Sequence, residues 1–398
     1  MTSHRTVTTP RVAAVGVGYS TTGRKTGFTS RQLAVQAATA AMHDAGIGPK
    51  DIDGSTMLWA VAGTPPPGLD VVDAMDIAYM LGIGPLNFWN SGAGPAYIGP
   101  AVQAVAAIRA GLCHTVLSMR VIRQRMTTSE SLDAEATAGA TYADDDWQYT
   151  QPFGSIAPLQ PIAAMPAQRH MDLYGTTEEH FGRHVIAQRE WASHNPEALL
   201  REPLTLDDYY RSRYISKPVR LLDCDYPVDS ASAVIYTTEE RARDMAKKPV
   251  FVDSMAFSSV KYLTFEGLDD ILDNSPDHCA ETLWSRTDYK PKDMNCLQLY
   301  DGFTIIVFQW LEALGFCAKG EAGPFIAEGH TAMGGKLPVN TDGGACNMGR
   351  RHGANFCIES VRQLRGDESG VRQVPGAKTA LWANAVGSFS GAMIMTTE

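Results

Sequence analysis

Several features that would assign the chain to a large functional class are missing. It has no membrane-length apolar run: the longest, Thr304 to Phe316, falls short of the roughly 20 residues that span a bilayer and carries Gln309 and Glu312. It has no excess of positive charge, because 34 Lys and Arg face 44 Asp and Glu for a net −10, which argues against a surface that tracks nucleic acid. Nucleic acid and membrane are therefore not expected partners. The N-terminus, Met1-Thr-Ser-His-Arg5, leads into the strand-like Arg11-Val-Ala-Ala-Val15 without the apolar segment of a secretion signal. The seven cysteines, at 113, 224, 279, 296, 317, 346 and 357, form no C-x-x-C pair and none of the zinc spacings. No bound metal is expected. The odd number points to reduced thiols and a cytoplasmic location. No stretch combines low hydrophobicity with high charge, and at 398 residues with 44% hydrophobic residues the chain can bury a large core.

What is present is a repeat. A helical pattern starts at Thr29 or Ser30 and places Leu33, Ala34, Ala37, Ala38, Ala41 and Met42 on one face before Gly46. Pro49-Lys50-Asp51-Ile52-Asp53 and the strand-like Ser55 to Ala60 follow it. The same order returns downstream, where a helical stretch around Ala280 to Trp284 precedes Pro291-Lys292-Asp293-Met294-Asn295 and the strand-like Cys296 to Tyr300. A second pair agrees. Ser91-Gly-Ala-Gly-Pro95, a helix ending at Gly111 and the strand Thr115 to Ser118 correspond to Gly349-Arg-Arg-His-Gly-Ala354, a helix ending at Gly366 and the strand Thr379 to Trp382. Two pairs in one order predict duplicated α/β halves with mainly parallel sheets. Ligands then sit beyond the strand C-termini, where the glycine loops fall. The predicted division is 1–247 and 248–398, with an insertion at about 120–227 in the first half that includes a helix from Thr177 to Ala192. Gly16-x-Gly18 lacks the third glycine and the acidic residue of a dinucleotide fingerprint.

The residues Asn340-Thr-Asp-Gly-Gly344, Gly349-Arg-Arg-His-Gly-Ala354 and Val361-Arg-Gln-Leu-Arg-Gly366 resemble the C-terminal half of thiolases. Further matches are Met171 to Thr177, Asn195-Pro196, Leu221-Leu-Asp-Cys-Asp225, Asp229 to Ala233, and Tyr300-Asp-Gly-Phe-Thr304 with Glu312-Ala-Leu-Gly315. They cover almost the whole chain and are most similar to the lipid-transfer-protein or sterol-carrier-protein-type branch. The resemblance implies a thiolase fold, an α/β architecture with two βαβαβαββ halves in a five-layer αβαβα core and an inserted loop domain. It also implies an acyl-CoA substrate with no other cofactor, a homodimer, and a small partner with an OB-fold and zinc ribbon (DUF35-type).

The reactive positions depart from the thiolase pattern. Gly94 stands at or near the place of the nucleophilic Cys, Ala385 replaces the second reactive Cys, and Arg350 replaces the His of G-H-P-x-G. Without an acyl-carrying thiolate the covalent Claisen route is disfavoured. The resemblance to steroid side-chain aldolases implies instead retro-aldol cleavage of a β-hydroxyacyl-CoA through a stabilised enolate. Tyr300, at a strand end, His352 and Arg350 are the candidate catalytic residues. Arg350 is placed to stabilise negative charge or lower the affinity of Tyr300 for its proton, and His352 to exchange protons near neutral pH. Gly94, Asp301, Cys346, Asn384, Gly387 and Ser388 are candidates for binding substrate. Two alternatives stay open: an acyltransferase whose nucleophile lies elsewhere, such as Cys346 or a partner's residue, and a non-catalytic subunit that binds lipid or CoA.

Overall fold

Thr29 caps the first helix, Ser30–Ala45, by accepting from the Gln32 amide, and Gly46 ends it at φ 70°. This follows from local sequence alone. The two Pro-Lys-Asp segments fold alike: Pro49–Asp51 and Pro291–Asp293 are 3-10 turns. In each the aspartate accepts from the amide preceding the proline, at 2.8 Å from Gly48 and 2.8 Å from Lys290. The structure is a computed structural model and describes residues 9–58, 72–92, 96–123, 163–260, 270–368, 370–385, 387 and 389–398.

The described strands are β1 (Val12–Tyr19), β2 (Gly54–Leu58), β3 (Phe88–Gly92), β4 (Thr115–Ile122), β5 (Tyr214–Ser216), β6 (Val219–Arg220), β7 (Ser230–Thr238), β8 (Val250–Ser259), β9 (Cys296–Leu299), β10 (Thr379–Asn384) and β11 (Phe389–Thr396). Nine of them form one sheet in the order β3-β2-β4-β7-β1-β8-β11-β10-β9, and β5 pairs with β6. From each outer edge inward the pattern is the same. β2 and β4 are parallel, as are β9 and β10; β7 then runs antiparallel to β4, as β11 does to β10. At the centre β1 meets β8 through Ala13↔Phe251 and Ala14↔Val250.

Alternation along the strands builds the layers. On β4, Val116 faces one core while Leu117 and Met119 face another. The helices Ile98–Arg109 and Ala354–Arg365 share one cluster with Val116, Val234, Val252 and Trp382, and so lie between the two parts of the sheet. The outer face of the first part is covered by Ser30–Ala45 and Ala74–Leu81, and that of the second by Ser275–Trp284 and Thr304–Ala313. The result is a helix-sheet-helix-sheet-helix stack. Gly16 and Gly18 serve close packing, because a Cβ on either would lie 2.3 Å from the Ala41 carbonyl or 2.5 Å from the Ala37 carbonyl. Within the inserted stretch, Met165–Tyr174, Glu178–Ser193 and Leu206–Arg211 are helices, and Phe181, Val185 and Tyr209 pack with Phe308 and Leu299. No helix among the described residues is long and apolar enough to cross a membrane.

Candidate active site

Tyr300 directly follows β9, and its amide donates to the Ala383 carbonyl of β10 at 3.0 Å. Its ring lies against Gly302, where a Cβ would come within 2.6 Å of the hydroxyl, and meets Phe356 edge-on at 6.2 Å. The inserted stretch arrives beside it through backbone bonds: Asp225 N–H donates to the Gly302 carbonyl at 3.0 Å and Tyr226 N–H to the Ala345 carbonyl at 3.2 Å. These bonds set the Tyr300 hydroxyl 3.5 Å from Asp225 Oδ2. Arg350, whose amide donates to the Tyr226 carbonyl at 2.7 Å, has Nη1 3.8 Å from the other Asp225 oxygen.

His352 takes the left-handed conformation, φ 48°, and Gly353 follows at φ 90°. The turn is held from two sides, because the His352 carbonyl accepts from the Tyr97 amide at 2.9 Å and from Asn384 Nδ2 at 2.7 Å. A Cβ on residue 353 would lie 1.7 Å from that same Asn384 nitrogen, so only glycine fits. The His352 ring meets Arg120, on strand β4, with Nδ1 2.6 Å from Nη2. Arg120 also donates from Nη1 to the carbonyls of Val121 at 2.8 Å and Leu58 at 3.2 Å.

Exposure separates two groups. Tyr300, Asp225, Arg350 and His352 each keep part of their surface open, whereas Arg120, Asp301, Asn384 and Cys346 are buried. The first four can meet a substrate, and the second four support them. Burial pushes the Asp225 carboxyl up to about 6, against the pull of Arg350 and the Tyr300 hydroxyl, which leaves it ionised at neutral pH. Burial, and then the Asp225 charge, hold the Tyr300 phenol well above its ordinary value. Arg350 pulls it downward, as expected, but burial and Asp225 outweigh that pull. Burial together with Arg120 and Arg350 depresses His352 well below the ordinary range for histidine. The expectation of a proton exchanger near neutral pH is corrected, because the imidazole stays neutral there.

Asp301 is a support, accepting from the Ala345 amide at 2.8 Å and the Cys346 amide at 3.4 Å, and burial raises its carboxyl to about 7. The Cys346 thiol donates to the Asp301 carbonyl at 3.3 Å, and burial beside that carboxyl holds it well above the usual thiol range. A displaced nucleophile at Cys346 is thereby disfavoured. Gly387, at φ 80°, uses its carbonyl to accept from the Ser275 amide at 3.0 Å. The candidates Gly94 and Ser388 lie outside the described residues. Sequence reasoning missed Arg120 and the role of Asp225. Arg120 had one signal, as the charged residue in the otherwise uncharged Thr115 to Ile122 strand.

Residues 258–397 match the family model described as thiolase C-terminal domain-like. A 17-hydroxy-3-oxo-4-pregnene-20-carboxyl-CoA lyase of Mycobacterium tuberculosis is 33% identical over 396 residues, covering 97% of this chain and 99% of the relative. The chain belongs to the thiolase superfamily. Within that superfamily its relatives include a steroid side-chain-cleaving aldolase of Thermomonospora curvata, 34% identical over 90% of this chain and 91% of the relative. Among solved structures, an Ltp2-ChsH2(DUF35) aldolase superposes with a TM-score of 0.87 at 32% identity, covering 98% of this chain and 99% of that one. Thiolase-fold relatives with lower identity, such as an SCP2-thiolase-like protein of Mycobacterium smegmatis at 18% and a TM-score of 0.72, share the fold.

Proposed function

We propose that this protein cleaves the Cα–Cβ bond of a β-hydroxyacyl-CoA with a steroid or similarly bulky acyl body, a retro-aldol reaction without a covalent enzyme intermediate. The observation that carries the reading is the contact of Tyr300 with Asp225, a protonated phenol against an ionised carboxylate in a site with two guanidiniums and no thiol in position. The β-hydroxyl passes its proton to the Tyr300 oxygen while Tyr300 passes its own to Asp225. The electron pair of the broken O–H bond forms the new carbonyl, and the Cα–Cβ pair moves into the thioester as an enolate. Arg350 stabilises that charge, His352 donates as a neutral N–H, and the proton returns through Tyr300 to Cα. No group beyond the CoA thioester is needed.

The likeness to the Ltp2-ChsH2(DUF35) aldolase supports a small DUF35-type partner. Edge strand β3 carries exposed Trp89, with exposed Tyr79 on the adjoining helix, and a second copy of the chain would cover both. The decisive experiment supplies a fused-ring β-hydroxyacyl-CoA to the protein co-purified with its partner and measures ketone and shortened acyl-CoA. Tyr300→Phe is expected to lower kcat at least about 10²-fold; undiminished turnover would overturn the assignment.

A further inference from the structure

Arg120 is the least expected residue in the centre of the molecule. It is 2% exposed, on a strand hydrogen-bonded on both sides, with Leu58 opposite on β2 and Ser232 opposite on β7. Among the described residues its hydrogen-bond partners are neutral: two backbone carbonyls and the imidazole of His352. Its Nε has no hydrogen-bond partner among the described residues. A buried guanidinium whose bonds all go to neutral acceptors is costly to keep unless its charge or its donors perform a task.

The chemistry of the contact specifies that task. Guanidinium nitrogens only donate. The imidazole Nδ1 at 2.6 Å must therefore accept, and the ring proton of neutral His352 resides on Nε2. No other described residue in the cluster imposes this. Arg350, from the same loop, is turned to Asp225, and Tyr300 and Asp225 are occupied with each other. The His352 backbone is separately fixed by Tyr97 and Asn384. With the backbone held by one set of residues and the ring by Arg120, neither the position nor the tautomer is free to vary.

We propose that Arg120 is a positioning residue that locks His352 as the Nε2–H tautomer, making it a fixed hydrogen-bond donor to the substrate oxygen that gains negative charge, and not an acid or base. This rests on the retro-aldol reading for its catalytic meaning, but the tautomer itself is independent of the reaction. Arg120 comes from the first half of the fold and His352 from the second, so the donor exists only when the two halves are assembled. The depressed proton affinity of His352 agrees, since burial, and then the charges of Arg120 and Arg350, oppose a third positive charge.

The test uses the full-length protein labelled with 15N-histidine, with His352 assigned by comparison with His352→Asn. In the wild type the His352 signals are expected to report a neutral Nε2-protonated ring throughout pH 5 to 8. In Arg120→Met the ring is expected to populate both tautomers and to titrate within that range, and kcat for the hydroxyacyl-CoA to fall about 10²-fold with little change in KM. Arg120→Lys, which keeps charge and a donor, is expected to restore part of the tautomer bias and of kcat, and it tests the proposal should the Met variant not fold. A wild-type ring protonated on Nδ1, or one that titrates near pH 6 to 7, would overturn the proposal, as would unchanged His352 spectra in both variants. Absence of any turnover with a correct tautomer pattern would instead count against the retro-aldol reading alone.

Discussion

The Tyr300 hydroxyl lies 3.5 Å from Asp225 Oδ2, across 75 positions of chain. One residue ends a strand of the second half, and the other is delivered by the insertion in the first. In the proposed mechanism this contact makes the phenol the near end of a proton relay whose far end is a carboxylate raised to about 6.

That value gives a pH dependence with a definite sign. Asp225 must be ionised to take the proton, and its carboxyl is raised above the ordinary range, so kcat is expected to fall as pH drops through about 6 and to level off above it. Asp225→Asn should lower kcat by about 10²-fold or more and abolish this acid limb. Steady-state rates from pH 5 to 8.5 check both expectations.

Cys346 is buried, and its thiol is hydrogen-bonded to the Asp301 carbonyl. Cys346→Ala is therefore expected to leave turnover unchanged while costing about 1 kcal/mol for the lost buried sulfur. Intact mass after incubation with acyl-CoA should show no adduct on either protein, and a stable acyl-enzyme on the wild type alone would revive the transferase reading.

Gly353 allows the turn that carries His352. Gly353→Ala introduces a Cβ against Asn384 at φ 90°, which should cost about 1–3 kcal/mol through the backbone alone and displace the imidazole. Denaturant unfolding reads the first effect and the His352 NMR signals read the second.

The exposed residues at the β3 edge predict assembly. Tyr79 is 89% and Trp89 54% exposed. Light scattering is expected to give the mass of two chains, and Tyr79→Asp combined with Trp89→Asp to give the mass of one without changing the circular dichroism spectrum.

Local sequence determined what depends on near neighbours. The helix start at Thr29 or Ser30, the stop at Gly46, the repeated Pro-Lys-Asp segments and the helix after Thr177 are governed by hydrogen bonds and side-chain spacing within a few residues, and all were legible without coordinates. So was the absence of a cysteine at the thiolase positions, and the placement of Tyr300 at a strand end.

Only the tertiary structure decided what the site residues can do. Whether Tyr300, Asp225 and His352 hold or release a proton depends on burial and on charges that lie up to 232 positions away, and spacing along the chain reports neither. That is why His352 looked able to titrate near neutral pH, and why, once the halves are assembled, burial and neighbouring charges hold the Tyr300 phenol protonated and the His352 imidazole neutral. Arg120 shows the limit most plainly. In the sequence it is one charge in a strand, and it gains a role only because the central sheet brings it to a loop of the other half.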